Sequence, residues 1–138
     1  TNEEIYDIFN LRLAVFVVEQ NCPYQDADGK DLKSLHVSGM QDGELIAYAR
    51  IVLPGVSYKE VSIGRVVTSQ KARRTGAGKI LMEKTMEYAK KEFGEVPVRI
   101  SAQSYLQKFY EGFGFKRIGD EYMEDYILHI EMLYAPCE

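Results

Sequence analysis

The chain has little cysteine, no surplus of positive charge and no long apolar run. Its two cysteines, Cys22 and Cys137, lie near opposite ends, too few for the disulfide framework of a small secreted domain. A count of 17 Lys and Arg against 21 Asp and Glu gives a net charge of −4, which argues against a general nucleic-acid binder. No apolar stretch approaches the roughly 18–20 residues of a membrane span. Nothing has the pattern of a secretory signal, and there is no repeat, low-complexity tract or linker. The expectation is a soluble, cytoplasmic protein with neither membrane nor nucleic acid as a partner.

What is present is a chain of 138 residues, 46% of them hydrophobic. That fits one domain over residues 1–138 with a real core. Thr1–Val18 reads as a helix. Thr1 or Asn2 caps it, Glu3, Glu4 and Asp7 load its first turns with negative charge, and Ile5, Ile8, Phe9 and Phe16 mark an apolar face widened by Leu11 and Val15. Arg12 stands inside that stripe, either as a snorkelling side chain or as a charge aimed into a site. Val15–Gln20 is apolar enough to finish in extended structure. Asn21–Asp31 is a loop, with turn signals at Pro23 and Asp28-Gly29. It does not make a calcium loop, which would need an acid in place of Tyr24 and a glutamate in place of Leu35. Two readings remain: a solvated acidic turn, or an acidic, aromatic rim for a cationic substrate built from Glu19, Tyr24, Asp26 and Asp28.

Leu35–Gln41 and Glu44–Leu53, joined by Asp42-Gly43, read as a β-hairpin. His36 sits on its first strand, as a structural residue or as a general base. Val61–Thr68 is the next strand, Lys79–Phe93 an amphipathic helix ended by Gly94, Val96–Ser101 a strand and Ser104–Glu111 a short helix. Phe115–Ile118 and Ile127–Tyr134 are the last strands, separated by the acidic stretch Glu121–Asp125. The order predicts a mixed α/β (α+β) domain with one central sheet.

One stretch changes character midway. Ile63–Thr68 is strand-like, Arg73–Gly78 (RRTGAG) is basic and glycine-rich, and the helix follows at once. The first N–H groups of a helix have no intrahelical partner and sit at the positive end of its dipole, so they bind anions. Gly76 and Gly78 let a ligand approach the backbone, and Arg73 and Arg74 add forked donors. The glycines alone favour a plain βα turn with solvated arginines, because short glycine motifs recur by chance. A P-loop is excluded because Gly78-Lys79 is followed by Ile80.

A second motif, FYEGFGF (Phe109–Phe115), follows one helix and one strand later. The pair resembles the GNAT superfamily of acyl-CoA-dependent N-acetyltransferases, whose first motif has the form Q/R-x-x-G-x-G/A and whose second places a tyrosine shortly before Gly-Phe. Four more stretches, LRLAVFVVEQNCPYQDADGKD, SIGRVV, AQSYLQKFY and EDYILHIEM, look like the ElaA-like branch of that superfamily. The resemblance implies a GNAT-like fold with a central mixed, mostly antiparallel sheet flanked by helices. The family's fold usually opens with a strand, and this chain opens at the helix after it.

The resemblance also implies an activity, acetyl transfer from acetyl-CoA to a small-molecule or peptide amine, with no metal and with a homodimer as a common assembly. A non-catalytic acyl-CoA-binding module on the same fold is the alternative. By the same resemblance, Val66 and Val67 offer backbone groups to the pantetheine arm. The N–H groups of Arg74, Thr75, Gly76, Ala77, Gly78 and Lys79 hold the pyrophosphate, with Arg73 at the Q/R position. Gln103 stands where relatives have an asparagine, Phe109 lies with the cofactor contacts, and Tyr110 matches the tyrosine that protonates the leaving thiolate. The chemistry asks for a base to take the amine proton and a donor for the oxyanion. Glu19, His36 and Asp125 are the candidate bases, with His129 as a further one and a water chain as the alternative. Tyr24, Arg65 and Asp125 are the candidate acceptor-site residues.

Overall fold

In the computed structural model, residues 1–22 and 24–136 are described; the turn signal at Pro23 and the second cysteine, Cys137, lie outside them. Helix α1 covers Asn2–Arg12. Thr1 caps it in a capping box, accepting the Glu4 N–H at 3.0 Å while the Glu4 carboxylate turns back to the Thr1 amino group. The helix does not run on as an α-helix to Val18, nor does Val15–Gln20 become extended. Leu13–Glu19 forms a π-helix, with N–H groups reaching back five residues from Gln20 to Val15 and from Cys22 to Val17. An apolar run of this length does not by itself distinguish strand from helix. The segment satisfies its own carbonyls, and Val15 joins Ile8 and Leu11 in one buried cluster.

Six strands form one sheet in the order β1-β2-β3-β4-β6-β5. They are β1 (Ser34–Gln41), β2 (Glu44–Val52), β3 (Val61–Thr68), β4 (Val98–Gln103), β5 (Phe115–Glu124) and β6 (Ile127–Tyr134). All neighbours are antiparallel except β3 and β4. The expected mixed, mostly antiparallel sheet flanked by helices is therefore present. The β1–β2 turn has Asp42 and Gly43 at φ 52° and 78°, as a two-residue hairpin of type I′ requires.

Among the strands, β4 and β5 differ from the sequence reading by two residues or more. Strand β4 starts at Val98 rather than Val96, because Pro97 has no N–H for the ladder. Strand β5 runs to Glu124, so Glu121–Glu124 are ladder residues and not a turn. The turn is only Asp125-Tyr126, both at positive φ (48° and 67°). It is a type I′ hairpin without the Asn-Gly signature that would have shown it.

Helix α2 (Ala77–Phe93) and the short α3 (Gln107–Glu111) complete the layers. Leu81, Met82 and Ala89 of α2 pack with Ala47, Ala49 and Ile51 of β2, whereas Tyr48 faces Ile8, Leu11 and Val15 across the sheet. Period-two alternation along β2 assigns the two helices to opposite faces. Strand β3 breaks that alternation. Ile63 belongs to the α2 side and Val67 to the α1 side, although they are four residues apart. Between Tyr48↔Val67 and Arg50↔Gly64, two residues of β3, Arg65 and Val66, stand opposite Ala49 alone. This β-bulge, with Arg65 at φ 49°, reverses which face each later side chain takes.

Candidate active site

Strands β3 and β4 are in register at only Val61↔Val98 and Ser62↔Arg99 among the described residues. Beyond those pairs their carboxyl ends separate. A cavity of about 810 Å³ fills the gap, lined by Ser62–Thr68 from one side and Ile100–Gln103 from the other. Open α/β sheets bind ligands at the carboxyl ends of diverging strands.

The glycine-rich loop stands at one end of this gap. Arg74 and Gly76 take left-handed backbone conformations, φ 64° and 86°, and Gly76 is the residue before the first turn of α2. No side chain caps that turn among the described residues, and it carries no acid. Its N–H groups are therefore available to an anion. A Cβ built on Gly76 meets nothing within 4 Å, and one on Gly78 would reach only Phe109 and Thr68 at 3.9 Å. The protein itself leaves the space in front of these glycines empty, and the donor set fits a pyrophosphate. Gly78, Arg73, Val66, Val67, Gln103 and Phe109 line the cavity. Gln103 donates weakly to Gln20 at 3.4 Å. Arg74, Thr75, Ala77 and Lys79 belong to the loop and helix end without lining it.

Tyr110 of α3 is 6% exposed and lines the same cavity. Its ring meets Phe109 and Phe115 edge-on at 5.1 and 6.1 Å. Burial, with a smaller contribution from Tyr105, pushes its phenol above the ordinary value of 10. A phenol held above its ordinary value stays protonated at neutral pH.

Two of the candidate bases, Glu19 and His36, are held by other groups of the protein. Glu19, at the end of the π-helix, is gripped by Arg73 at 2.5 and 2.9 Å and accepts from Gln70 at 3.0 Å. The Arg73 hydrogen bond holds its carboxyl below the usual range, which suits an anchor for the loop and not a proton acceptor. His36 does not line the cavity. Its Nε2 faces the carbonyl oxygen of Asp31 at 3.1 Å and so carries the proton, and its Nδ1 accepts from the Tyr48 hydroxyl at 2.5 Å. Both nitrogens are used structurally.

The acidic loop is neither solvated nor free for a cation. Asp26, Asp28 and Asp31 are consumed by three arginines. Arg12, 0% exposed, pairs with Asp26 at 3.0 Å and Asp31 at 2.8 Å. Arg50 pairs with Asp28 at 2.7 Å and Asp31 at 3.1 Å. Arg65 pairs with Asp26 at 2.9 Å. Arg12 thus neither snorkels nor points into the cavity. Tyr24 donates to Asp26 at 3.0 Å, and the Arg65 guanidinium lies 5.3 Å from its ring centre. Tyr24, Arg65 and Asp28 line the cavity as members of this network.

The network has an acid limit. The Arg50 hydrogen bond holds the Asp28 carboxyl far below its ordinary 3.8. A depressed folded-state pKa means stability that is present above the unfolded value and lost as pH falls through the folded one. Urea midpoints should hold steady above about pH 5 and fall progressively below about pH 4. Asp28→Asn should cost about 2 kcal/mol at neutral pH and flatten the acid limb. An acid limb unchanged by the substitution would remove Asp28 from the account.

The opposite wall comes from β4 and the β5–β6 hairpin: Ser101, Glu124, Asp125 and His129, with Tyr58 from the loop before β3. Cys22 closes it, its thiol donating to the Asp125 carbonyl at 2.8 Å. Ser101 and Tyr58 were not singled out in the sequence. The signal for Ser101 was the alternation of Val98-Arg99-Ile100-Ser101-Ala102-Gln103, in which every second residue is polar and half-buried.

Comparison with known proteins agrees with this geometry. An acetyltransferase (GNAT) domain model matches residues 11–135. The protein ElaA of Escherichia coli is 46% identical over 131 residues, covering 94% of this chain and 86% of ElaA. The crystal structure of E. coli ElaA superposes with a TM-score of 0.91 over 97% of this chain and 91% of that one, at 43% identity. An acyl-CoA N-acyltransferase from Pseudomonas aeruginosa superposes with a TM-score of 0.92 over 98% of this chain and 92% of that one, at 44% identity. With the splayed strands, the bare helix end and both motifs in place, the chain belongs to the GNAT acetyltransferase family and is an ElaA homologue.

Proposed function

We propose that the protein moves an acetyl group from acetyl-CoA to a primary amine, of a small molecule or a peptide, by direct transfer. The observation that carries this reading is the single cavity shared by the β3–β4 gap, the uncapped start of α2 and the buried Tyr110. Acetyl-CoA supplies an activated thioester, and the residues of the chain do the rest. The α2 N–H groups and the Arg73–Lys79 loop hold the pyrophosphate. The free backbone edge of β3 at Val66 and Val67 positions the pantetheine arm, and the Val67 N–H is the donor for the developing oxyanion. Tyr110, kept protonated by burial, gives a proton to the departing thiolate. Neither cysteine acts as a nucleophile, and a cytoplasmic location goes with this reading.

Acetyl-CoA at a hundredfold excess over its Kd should stabilise the fold by about 2.7 kcal/mol, seen as a rise in Tm, whereas ATP at equal concentration should not. No shift at millimolar acetyl-CoA would sink the reading. Tyr110→Phe should lower kcat by about a hundredfold with acetyl-CoA affinity within about a factor of two. Equal activity of this variant and the wild type would deny Tyr110 its role.

A further inference from the structure

The far wall of the cavity holds a histidine whose two ring nitrogens both face acceptors. His129 lies on β6, 9% exposed, in register with Gln103 of β4 and Tyr122 of β5. Its Nδ1 is 2.7 Å from the carbonyl oxygen of Ile127. A carbonyl can only accept, so Nδ1 carries a proton. Its Nε2 is 3.5 Å from Oε2 of Glu124, which as a carboxylate also only accepts. A ring carrying that proton alone turns a lone pair toward a negative oxygen 3.5 Å away. The mismatch is removed by a proton on Nε2 or by a donor that serves both atoms.

The surroundings hold this arrangement in place. The Ser101 hydroxyl donates to Glu124 Oε2 at 3.3 Å and is itself in contact with the Tyr122 hydroxyl. The Tyr122 ring stacks on the imidazole, centres 6.1 Å apart at 29°. Glu131, two residues along the same face of β6, is held by Arg99 at 2.7 Å and does not compete. Glu124 remains half-exposed, with 50% of its side chain open. Once the Arg12, Arg50, Arg65 and Arg73 pairs are discounted, Glu124 and Asp125 are the cavity-lining carboxylates without an arginine partner among the described residues.

We propose that Glu124 receives the acceptor amine as an ammonium ion and that His129 Nε2 takes its proton. The proposal rests on the reading of the chain as an N-acetyltransferase and adds to it the base and the acceptor's charge state. The ammonium N–H breaks, its proton goes to Nε2, and the nitrogen keeps the electron pair. That pair forms the C–N bond to the thioester carbon. The C–S bond then breaks, and the sulfur leaves with its electrons and takes the Tyr110 proton. The amide nitrogen returns its surplus proton to the Tyr110 oxygen. The imidazolium releases its proton to water past exposed Glu124, so one proton is set free per acetyl group moved.

The test uses the full chain with acetyl-CoA and three amines: spermidine, butylamine and a lysyl peptide. His129→Asn keeps a donor at the Nδ1 position for Ile127 and deletes Nε2. It should bind acetyl-CoA as the wild type does by calorimetry and lose about 10²–10⁴-fold in kcat/KM. Glu124→Gln, at an exposed site that does not endanger folding, should raise KM for the amines about tenfold or more. Long-range ¹H–¹⁵N spectra of the free protein at the pH of the assay should show His129 with its proton on Nδ1 and none on Nε2. An Nε2–H tautomer overturns the proposal with or without a working acceptor, as does undiminished turnover by His129→Asn. Failure of the wild type to bind acetyl-CoA overturns the functional reading itself, which separates the two.

Discussion

Arg12→Met should lower the stability of the protein by about 3–5 kcal/mol, measured as the urea midpoint at neutral pH. Arg12 is fully buried and reaches Asp26 through Nε, the Asp26 carbonyl through Nη2 and Asp31 through Nη1. Its guanidinium also lies 4.8 Å from the Phe9 ring centre and 5.7 Å from that of Tyr48. Methionine fills much of the volume but supplies no charge. Asp26, whose side chain is 2% exposed, would keep Arg65 alone, and Asp31 would keep Arg50. Leaving a buried carboxylate short of its partner is what makes the loss large; the net worth of the intact network is smaller, because desolvating six charges offsets much of their attraction. A loss under about 1 kcal/mol would mean that water replaces the guanidinium and that the network is not dry.

The second large effect concerns Gly76. Its φ of 86° is a conformation that a β-branched side chain rarely adopts. Nothing in the protein obstructs a side chain there, so the cost falls on the backbone and not on packing. Gly76→Val should relax the loop to negative φ and turn the first N–H groups of α2 away from the gap. Acetyl-CoA affinity should fall by a hundredfold or more, on the scale of losing two charge-assisted hydrogen bonds, while the Tm of the free protein moves little. Arg74→Ala removes one exposed cation and should weaken binding about threefold to tenfold. Equal binding by the two variants, read by calorimetry, would show that the phosphates do not rest on this loop.

Much of the fold was legible because its signals are local. Asp42-Gly43 specifies a hairpin, the Gly-rich loop separates a strand from an amphipathic helix, and Thr1 with Glu4 announces a helix start. The β5–β6 turn was not legible, since Asp125-Tyr126 adopts by tertiary demand a geometry usually signalled by Asn-Gly. The π-helix was missed because hydrophobic periodicity does not report which carbonyl an N–H reaches. At the site, the glycine-rich loop and its place between a strand and a helix could be read from residue types and spacing. The charges could not. Which carboxylate meets which arginine depends on separations such as the 39 residues between Asp26 and Arg65, and no window of sequence holds both. That is why Asp26, Asp28 and Glu19 read as open acids, whereas the wall around His129 became visible only when β4, β5 and β6 were laid side by side.

The bulge at Arg65 and Val66 bears on solubility as well as on binding. Below the two pairs that join β3 to β4, β3 presents a free interior edge, a row of donors and acceptors on which any extended peptide could add. Such edges seed association between copies unless something spoils them. The extra residue bends and twists β3 there, and the Arg65 guanidinium places a charge beside the opening, so a flat partner strand cannot lie along it. A narrow, flexible arm that needs only a few of those groups still fits. The irregularity at the mouth of the gap is thereby also one that discourages aggregation.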